Sequence, residues 1–388
     1  MYTAQVPAAA LRAPWDISFD NRMAMLLRGA PRAAYFYAMP DTSTFRYRAY
    51  NIAQSLEAER GASAAWFTAA DLPHFGRVLD ACDVLIFCRN SLYDDTVARI
   101  ATLARARARR ILFDADDLVF DPAYAHLLVD TLGVDKANQD VWNYWFGYIG
   151  RVAATYTLCD AAVVTNPFLA ERAAAWSGKP VRIIPNYLNR EQQDISDSIW
   201  QAKDANRWVR DGRRHIGYFS GSPSHNRDFA LVAPAIARLM DADPTLWFRG
   251  VGFLDPGPDL ARHAERIETI PLQDFINLQR EIGAVELNIA PLLDNPFTNC
   301  KSELKWFEAA VVGALTIASP THAFRGVVRQ GANGWLAESY AWDTVLADVV
   351  RHCDAYRADV APRARAEARE RFGWDRQAAA ITAALFEA

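Results

Sequence analysis

The segment 295–313 concentrates residue types suited to binding a charged ligand. Ser302 precedes an apolar-periodic run and is a side chain that caps helix N-termini. A helix beginning there turns unpaired amides and the positive end of its dipole outward, which makes an anion site of the kind a pyrophosphate occupies. Lys301 stands beside that end, and Lys305 adds a second positive charge one turn in. Glu308 follows on the same side, where a carboxylate can accept hydrogen bonds from both hydroxyls of a ribose. The plainer expectation is an exposed Lys305–Glu308 pair spaced three residues apart on a helix.

A second constellation follows a strand-like run: Ser220, Gly221 and Ser222, then His225, Asn226 and Arg227. A small-residue loop between strand and helix lets backbone amides approach a phosphate. Arg227 is the best cation there, and the plainer alternative is a helix cap made by Ser224 or Asn226. The third constellation is Asp114, Asp116 and Asp117 at the end of another apolar run. Crowding three acids at one strand edge costs like-charge repulsion, so the placement points to use, in orienting a sugar or an acceptor hydroxyl. Capping by Asp116 and Asp117 is the competing expectation. Arg46 and Arg48 follow the first strand candidate and are weaker candidates for contact with phosphate or acceptor. The aromatic run 142–148 offers faces for sugar rings or a membrane surface, with helix core as the plainer expectation.

The elements that must position these groups alternate. Short apolar strand candidates lie at 33–38, 64–67, 83–87, 110–113, 161–164 and 181–184, and again at 215–219, 246–251, 286–290 and 314–318. Helical patterns separate them, which implies parallel sheets covered on both faces. The polar stretch 190–214 reads as a linker, and residues 1–32 as an extension packing on the first domain. The fold class is therefore α/β, with two doubly wound Rossmann-like domains facing a central cleft. The expected boundaries are 1–195 for an acceptor domain and 214–372 for a donor domain, with 373–388 a helix crossing back. Ligands of such sheets bind at the carboxyl ends of the strands.

The run Lys301-Ser302-x-Leu304-Lys305-x-x-Glu308, then Gly313, the strand to Ser319 and Gly331-Ala332-Asn333-Gly334-Trp335-Leu336, resembles the donor-binding half of glycosyltransferase family 4. The resemblance spans about 215–340 well and the first half more loosely. It implies a GT-B fold and a retaining transfer of sugar from a nucleotide-sugar donor to a glycan or lipid-linked glycan. The setting it implies is bacterial surface polysaccharide, such as O-antigen or capsule. It also implies that Glu308 matches the ribose-binding glutamate. Many members carry a second glutamate eight positions earlier; here that position is Cys300, which leaves Asn299 or the Thr298 backbone as sugar contacts. No cofactor or metal is expected beyond the donor itself. Asp114 and Asp116 also have the spacing of a GT-A metal motif, so a metal-dependent transferase is retained as an alternative. So are an epimerase-like enzyme of the same fold and a non-catalytic nucleotide- or glycan-binding member.

Bulk properties narrow the classes. A chain of 388 residues suits two domains. A net charge of −4 argues against nucleic-acid binding through global charge. Five cysteines without metal-type spacing read as reduced thiols, and no apolar run reaches the roughly 18 residues of a membrane span. A cytoplasmic protein, peripheral at the inner face of the membrane, is the expectation.

Overall fold

The computed structural model describes residues 1–41, 43–59, 61–92 and 95–387. Among them, twelve short strands form two parallel six-stranded sheets. In the first sheet the strands are β1 (Arg32–Phe36), β2 (Ser63–Phe67), β3 (Val84–Cys88), β4 (Arg110–Ala115), β5 (Ala161–Val164) and β6 (Val181–Ile183). Their order is β2-β1-β3-β4-β5-β6. The second sheet holds β7 (Arg214–Ser220), β8 (Leu246–Gly252), β9 (Ile267–Ile270), β10 (Leu287–Ala290), β11 (Leu315–Ala318) and β12 (Trp335–Leu336). Its order is β12-β11-β10-β7-β8-β9. Central strands such as β3 and β10 are buried along their whole length, which is why they read as continuous apolar runs. β9 and β12 lie at an edge, alternate with polar residues or span two positions only, and give no such run. The strand order reverses between β1 and β3, and between β7 and β10, the positions where open α/β sheets bind ligands.

One core cluster is shared by the domains. It joins Tyr35, Trp66 and Ile86 of the first sheet to Phe307, Phe275 and Phe372 of the second domain. Trp15 stacks on Phe275 at 5.9 Å between ring centroids. Two further clusters fill the outer faces of the two sheets.

Three expectations change. The supposed linker contains a helix, Arg190–Ala205, whose buried face carries Gln192, Ser196 and Lys203. Apart from Ile199, which joins the core, that face is satisfied by hydrogen bonds: Lys203 Nζ donates to the carbonyls of Gly283 (2.9 Å) and Val312 (2.6 Å). Hydrophobic periodicity does not register such a helix. The N-terminal extension packs on both domains. Tyr2 bridges to Arg210 and the Ala9 amide donates to Asn277, whereas the helix Phe19–Leu26 lies on β2. Ser302 is not a helix cap: the helix runs Leu304–Val311 with Glu303 at its N-cap, and the Ser302 hydroxyl accepts a hydrogen bond from Asn186.

A wide π-type turn, Arg46–Tyr50, leads into the helix Asn51–Ala58. The last helix, Ala378–Phe386, lies against Asn51–Ala58, and Ser55 Oγ donates to the Trp374 carbonyl. All five cysteines are free and buried. Among the described residues no helix is long and apolar enough to cross a membrane.

Gly252 ends β8 at φ +87°, and a Cβ there would lie 2.0 Å from the Ser220 carbonyl oxygen. Gly252→Ala is therefore expected to destabilise the fold by more than the ~1 kcal/mol that an unstrained glycine replacement would add to stability. It is also expected to displace the 220–222 loop, which thermal denaturation and nucleotide titration would both register.

Candidate functional site

The second-domain half of the site is built where β7 ends and the helix Leu304–Val311 begins. Lys305, in the first turn, donates from Nζ to the Phe219 carbonyl and sits 4.4 Å from the centre of the Tyr218 ring. Burial pushes its ammonium down to about 8, against the opposing pull of Asp228 and Glu308. The 220–222 loop is closed by a bond from Ser220 Oγ to the Ser222 carbonyl (2.7 Å). Gly221 is exposed, with open space where a Cβ would stand. His225 Nδ1 lies 2.9 Å from Asp228 Oδ2. Burial, then Lys301 and Lys305, push this imidazole down to about 4 although Asp228 pulls the other way, so it is neutral at physiological pH.

The first-domain half faces it. Asp117 stands 3.8 Å from Lys301 Nζ and 3.7 Å from Arg89 Nη1. Burial opposes its ionisation, but Lys301 and Arg89 outweigh burial and hold the carboxyl below its ordinary value. Asp116 accepts from Arg89 Nη1 (2.9 Å) and Thr44 Oγ1 (2.8 Å). Asp116, Asp117, Lys301, Lys305, His225 and the 220–222 loop thus converge on the gap between the two sheets.

Glu308 closes the back of that gap. Its Oε1 accepts from the Tyr47 hydroxyl and from Gln192 Nε2 (3.1 Å), and Arg46 Nη2 stands at 3.9 Å. Among the described residues no side chain or amide donates to Oε2, which leaves that oxygen available. The carboxylate is 3 % exposed, so it is an oriented group and not the exposed helix pair weighed above.

Other predicted residues go elsewhere. Asp114 is fully buried and receives a bidentate pair from Arg48, with Nε to Oδ1 at 2.8 Å and Nη2 to Oδ2 at 3.0 Å. Both are therefore sealed from solvent and occupied with each other. Arg46 is buried too, bonded to Gln192 Oε1 at 2.5 Å and lying 4.0 Å from the Tyr47 ring centre. Arg227 turns to the first domain, where Nη1 donates to the Asp130 carbonyl (3.1 Å). Asn226 Oδ1 accepts from the Asp255 amide, and Asn299 bridges Asp294 to the His322 amide. Cys300 is buried, its carbonyl accepting from Asn166 Nδ2 (2.7 Å).

Sequence reasoning missed Arg89, Asn90, Thr44, Tyr47 and Gln192. Arg89 and Asn90 directly follow β3, and the rule that strand carboxyl ends carry function would have found them. Arg89 adopts φ +47°, a conformation uncommon for a bulky side chain. Together with Thr44 it lines a cavity of about 610 Å³ at the carboxyl ends of β1 and β3.

Glu303 is 7 % exposed, and burial pushes its carboxyl up to about 7, with Arg371 pulling the other way. The folded protein then holds a proton that the unfolded chain releases, so stability falls as pH rises from about 4.5 to 7. Glu303→Gln is expected to be about 1–3 kcal/mol more stable than the parent at pH 8 and equal to it near pH 4.5. Urea denaturation at the two pH values checks this.

No family model matches the chain, and no curated protein matches it in sequence. Solved structures do resemble it. HepE of Anabaena, in complex with UDP and glucose, superposes with a TM-score of 0.60 at 13% identity, over 90% of this chain and 98% of that one. Sucrose-phosphate synthase of Thermosynechococcus elongatus gives 0.59 at 14% identity, over 89% and 96%. WaaG, a glycosyltransferase involved in lipopolysaccharide biosynthesis, gives 0.60 at 11% identity, over 91% and 99%. The GT-A alternative is thereby corrected, since Asp114 and Asp116 bind different arginines and belong to a two-sheet protein. The likeness at these identities is one of fold, and the chain has the two-domain α/β architecture of GT-B proteins.

Proposed function

We propose that the protein is a glycosyltransferase that moves a hexosyl unit from a nucleotide-sugar donor to a hydroxyl of a glycan or lipid-linked glycan, with retention of configuration. The observation that carries this reading is the convergence of Lys301, Lys305 and the 220–222 loop on one end of the gap, with Glu308 oriented behind them. It is supported by the complexes of HepE with UDP and with UDP-glucose in the same fold. The diphosphate lies against the start of the helix Leu304–Val311, and the ribose against Glu308 Oε2. In the transfer, the acceptor oxygen bonds to the anomeric carbon and the bond from that carbon to the diphosphate oxygen breaks. The acceptor proton passes to the departing diphosphate. Lys301, Lys305 and the helix end stabilise the charge that develops there, a role that needs no divalent metal. Asp117, facing Lys301, orients the acceptor hydroxyl.

Retention and a role in surface-polysaccharide assembly rest on the resemblance of 301–336 to family 4, and the buried free thiols suit a reducing compartment. Thermal stabilisation by nucleoside diphosphates and nucleotide sugars, with and without EDTA, tests the reading. A ligand at 100 times its Kd is expected to add about 2.7 kcal/mol. No shift with any nucleotide, or one that requires a divalent ion, overturns it.

The depressed Lys305 sets a pH dependence. Its positive charge is lost as pH rises through about 8, so UDP affinity is expected to fall between pH 7 and 9.5. Lys305→Met is expected to bind more weakly at pH 7 and to lack that fall, as calorimetric titration would record.

A further inference from the structure

His225 ends the short turn Pro223–His225 that follows β7, close to Lys301 and Lys305. Its Nδ1 faces Oδ2 of Asp228 at 2.9 Å. Asp228 is 2 % exposed, and its other oxygen accepts from the Leu293 amide (2.9 Å). A carboxylate offers only acceptors, so the proton of the neutral imidazole belongs on Nδ1. The opposite tautomer would set two lone pairs against each other at that distance. Nε2 is thereby left as a lone pair. It makes no hydrogen bond among the described residues, and the side chain keeps 12 % of its surface exposed.

The charges around the ring decide which form it takes. Burial, seconded by Lys301 and Lys305, keeps it neutral against the pull of Asp228. Asp117, from the loop after β4, lies close enough to sense the same ring. Arg227, two residues on, turns to Asp130 instead, and the Tyr218 hydroxyl faces the His225 carbonyl at 3.5 Å and not the imidazole. A diphosphate seated on Lys301 and Lys305 reverses the balance. It cancels the two positive charges that oppose an imidazolium and adds negative charge beside the ring. The diphosphate of a nucleotide sugar carries no proton near neutral pH, so it can only accept hydrogen bonds. It meets Nε2 favourably only when that nitrogen is protonated.

We infer that His225 takes up a proton from solvent as the nucleotide sugar binds and donates it in a hydrogen bond from Nε2 to the diphosphate, with Asp228 holding Nδ1. The inference rests on the glycosyl-transfer reading and deepens it. The imidazolium adds a third positive group to the leaving diphosphate, where charge develops as the bond to the anomeric carbon breaks. Its proton returns to solvent when the nucleoside diphosphate departs. Calorimetric titration of the full chain at pH 6 with UDP-glucose, GDP-mannose and dTDP-rhamnose, in buffers of low and high ionisation enthalpy, tests this. Lys305, which loses its charge through about 8, is already charged at that pH, and Glu303, pushed up to about 7, is mostly protonated. The parent is expected to take up roughly one proton per nucleotide sugar bound, and its affinity to fall by up to about tenfold per pH unit as pH rises above 5. His225→Gln keeps an N–H of comparable reach and is expected to bind without proton uptake. His225→Leu is expected to bind about tenfold or more weakly. Thermal denaturation reports the folding of each variant. Binding by the parent without proton uptake overturns the inference, leaves the donor reading standing, and needs no variant. Equal uptake in parent and His225→Gln overturns it as well. Binding of none of the three nucleotide sugars overturns the donor reading itself, and the inference with it.

Discussion

Replacing Arg48 with methionine is expected to destabilise the protein by about 3–5 kcal/mol, the usual effect of breaking a buried ion pair on one side only. Arg48 and Asp114 are both fully buried. The guanidinium donates twice to the carboxylate and once to the Ile184 carbonyl (2.6 Å), so it ties β4 to the end of β6. Without it, the one remaining hydrogen-bond partner of the Asp114 side chain among the described residues is the Cys88 thiol at 3.8 Å. An uncompensated carboxylate in that position must take up a proton or admit water, and either costs stability at neutral pH. The double variant Arg48→Met with Asp114→Asn removes both charges and is expected to recover much of the loss, a coupling that a double-mutant cycle measures directly. Urea denaturation of the four proteins suffices. A parent-like midpoint for Arg48→Met would mean that the pair is not an anchor.

Glu308→Gln is expected to weaken UDP binding about 10–100-fold, because each hydrogen bond from a ribose hydroxyl to a charged acceptor contributes about 1.5–3 kcal/mol. The exchange keeps the size of the side chain and removes the charge. Tyr47→Phe is expected to weaken UDP binding by a smaller factor. It leaves the carboxylate in place and removes one of the two bonds that orient Oε1. Calorimetric titration of the three proteins separates binding from orientation. Equal affinity in Glu308→Gln and parent would remove Glu308 from the nucleotide site.

What could be read from the sequence follows from what hydrophobic burial encodes. β3, β4, β10 and β11 are buried on both faces and announce themselves as apolar runs, and two such series imply two doubly wound sheets. The helix Arg190–Ala205 escaped because its inward face, Ile199 apart, is polar: Gln192, Ser196 and Lys203 are paired across distances that no local pattern reveals. The arginines failed for the same reason. Arg46, Arg48 and Arg227 look alike in sequence, but their partners, Gln192, Asp114 and Asp130, lie far along the chain. Lys301, Lys305 and Glu308 were legible because a single short helix and its approach set their relative positions. Asn90 carried no signal of its own; only the finished sheet shows that it stands at the reversal of strand order.

The wide turn Arg46–Tyr50 gives three successive side chains separate tasks. Arg46 holds Gln192, Tyr47 reaches Glu308 of the other domain, and Arg48 holds Asp114 beneath its own sheet. A turn of this kind contains one residue more than an α-helical turn. Deleting a residue within it would rotate everything on one side by about 100° relative to the other. Tyr47 and Arg48 could not then keep their partners together, so the loss would fall on nucleotide contact and domain stability in a single step. The extra residue sets the phase between the two halves of the molecule, and the segment is expected to tolerate substitution far better than any change in its length.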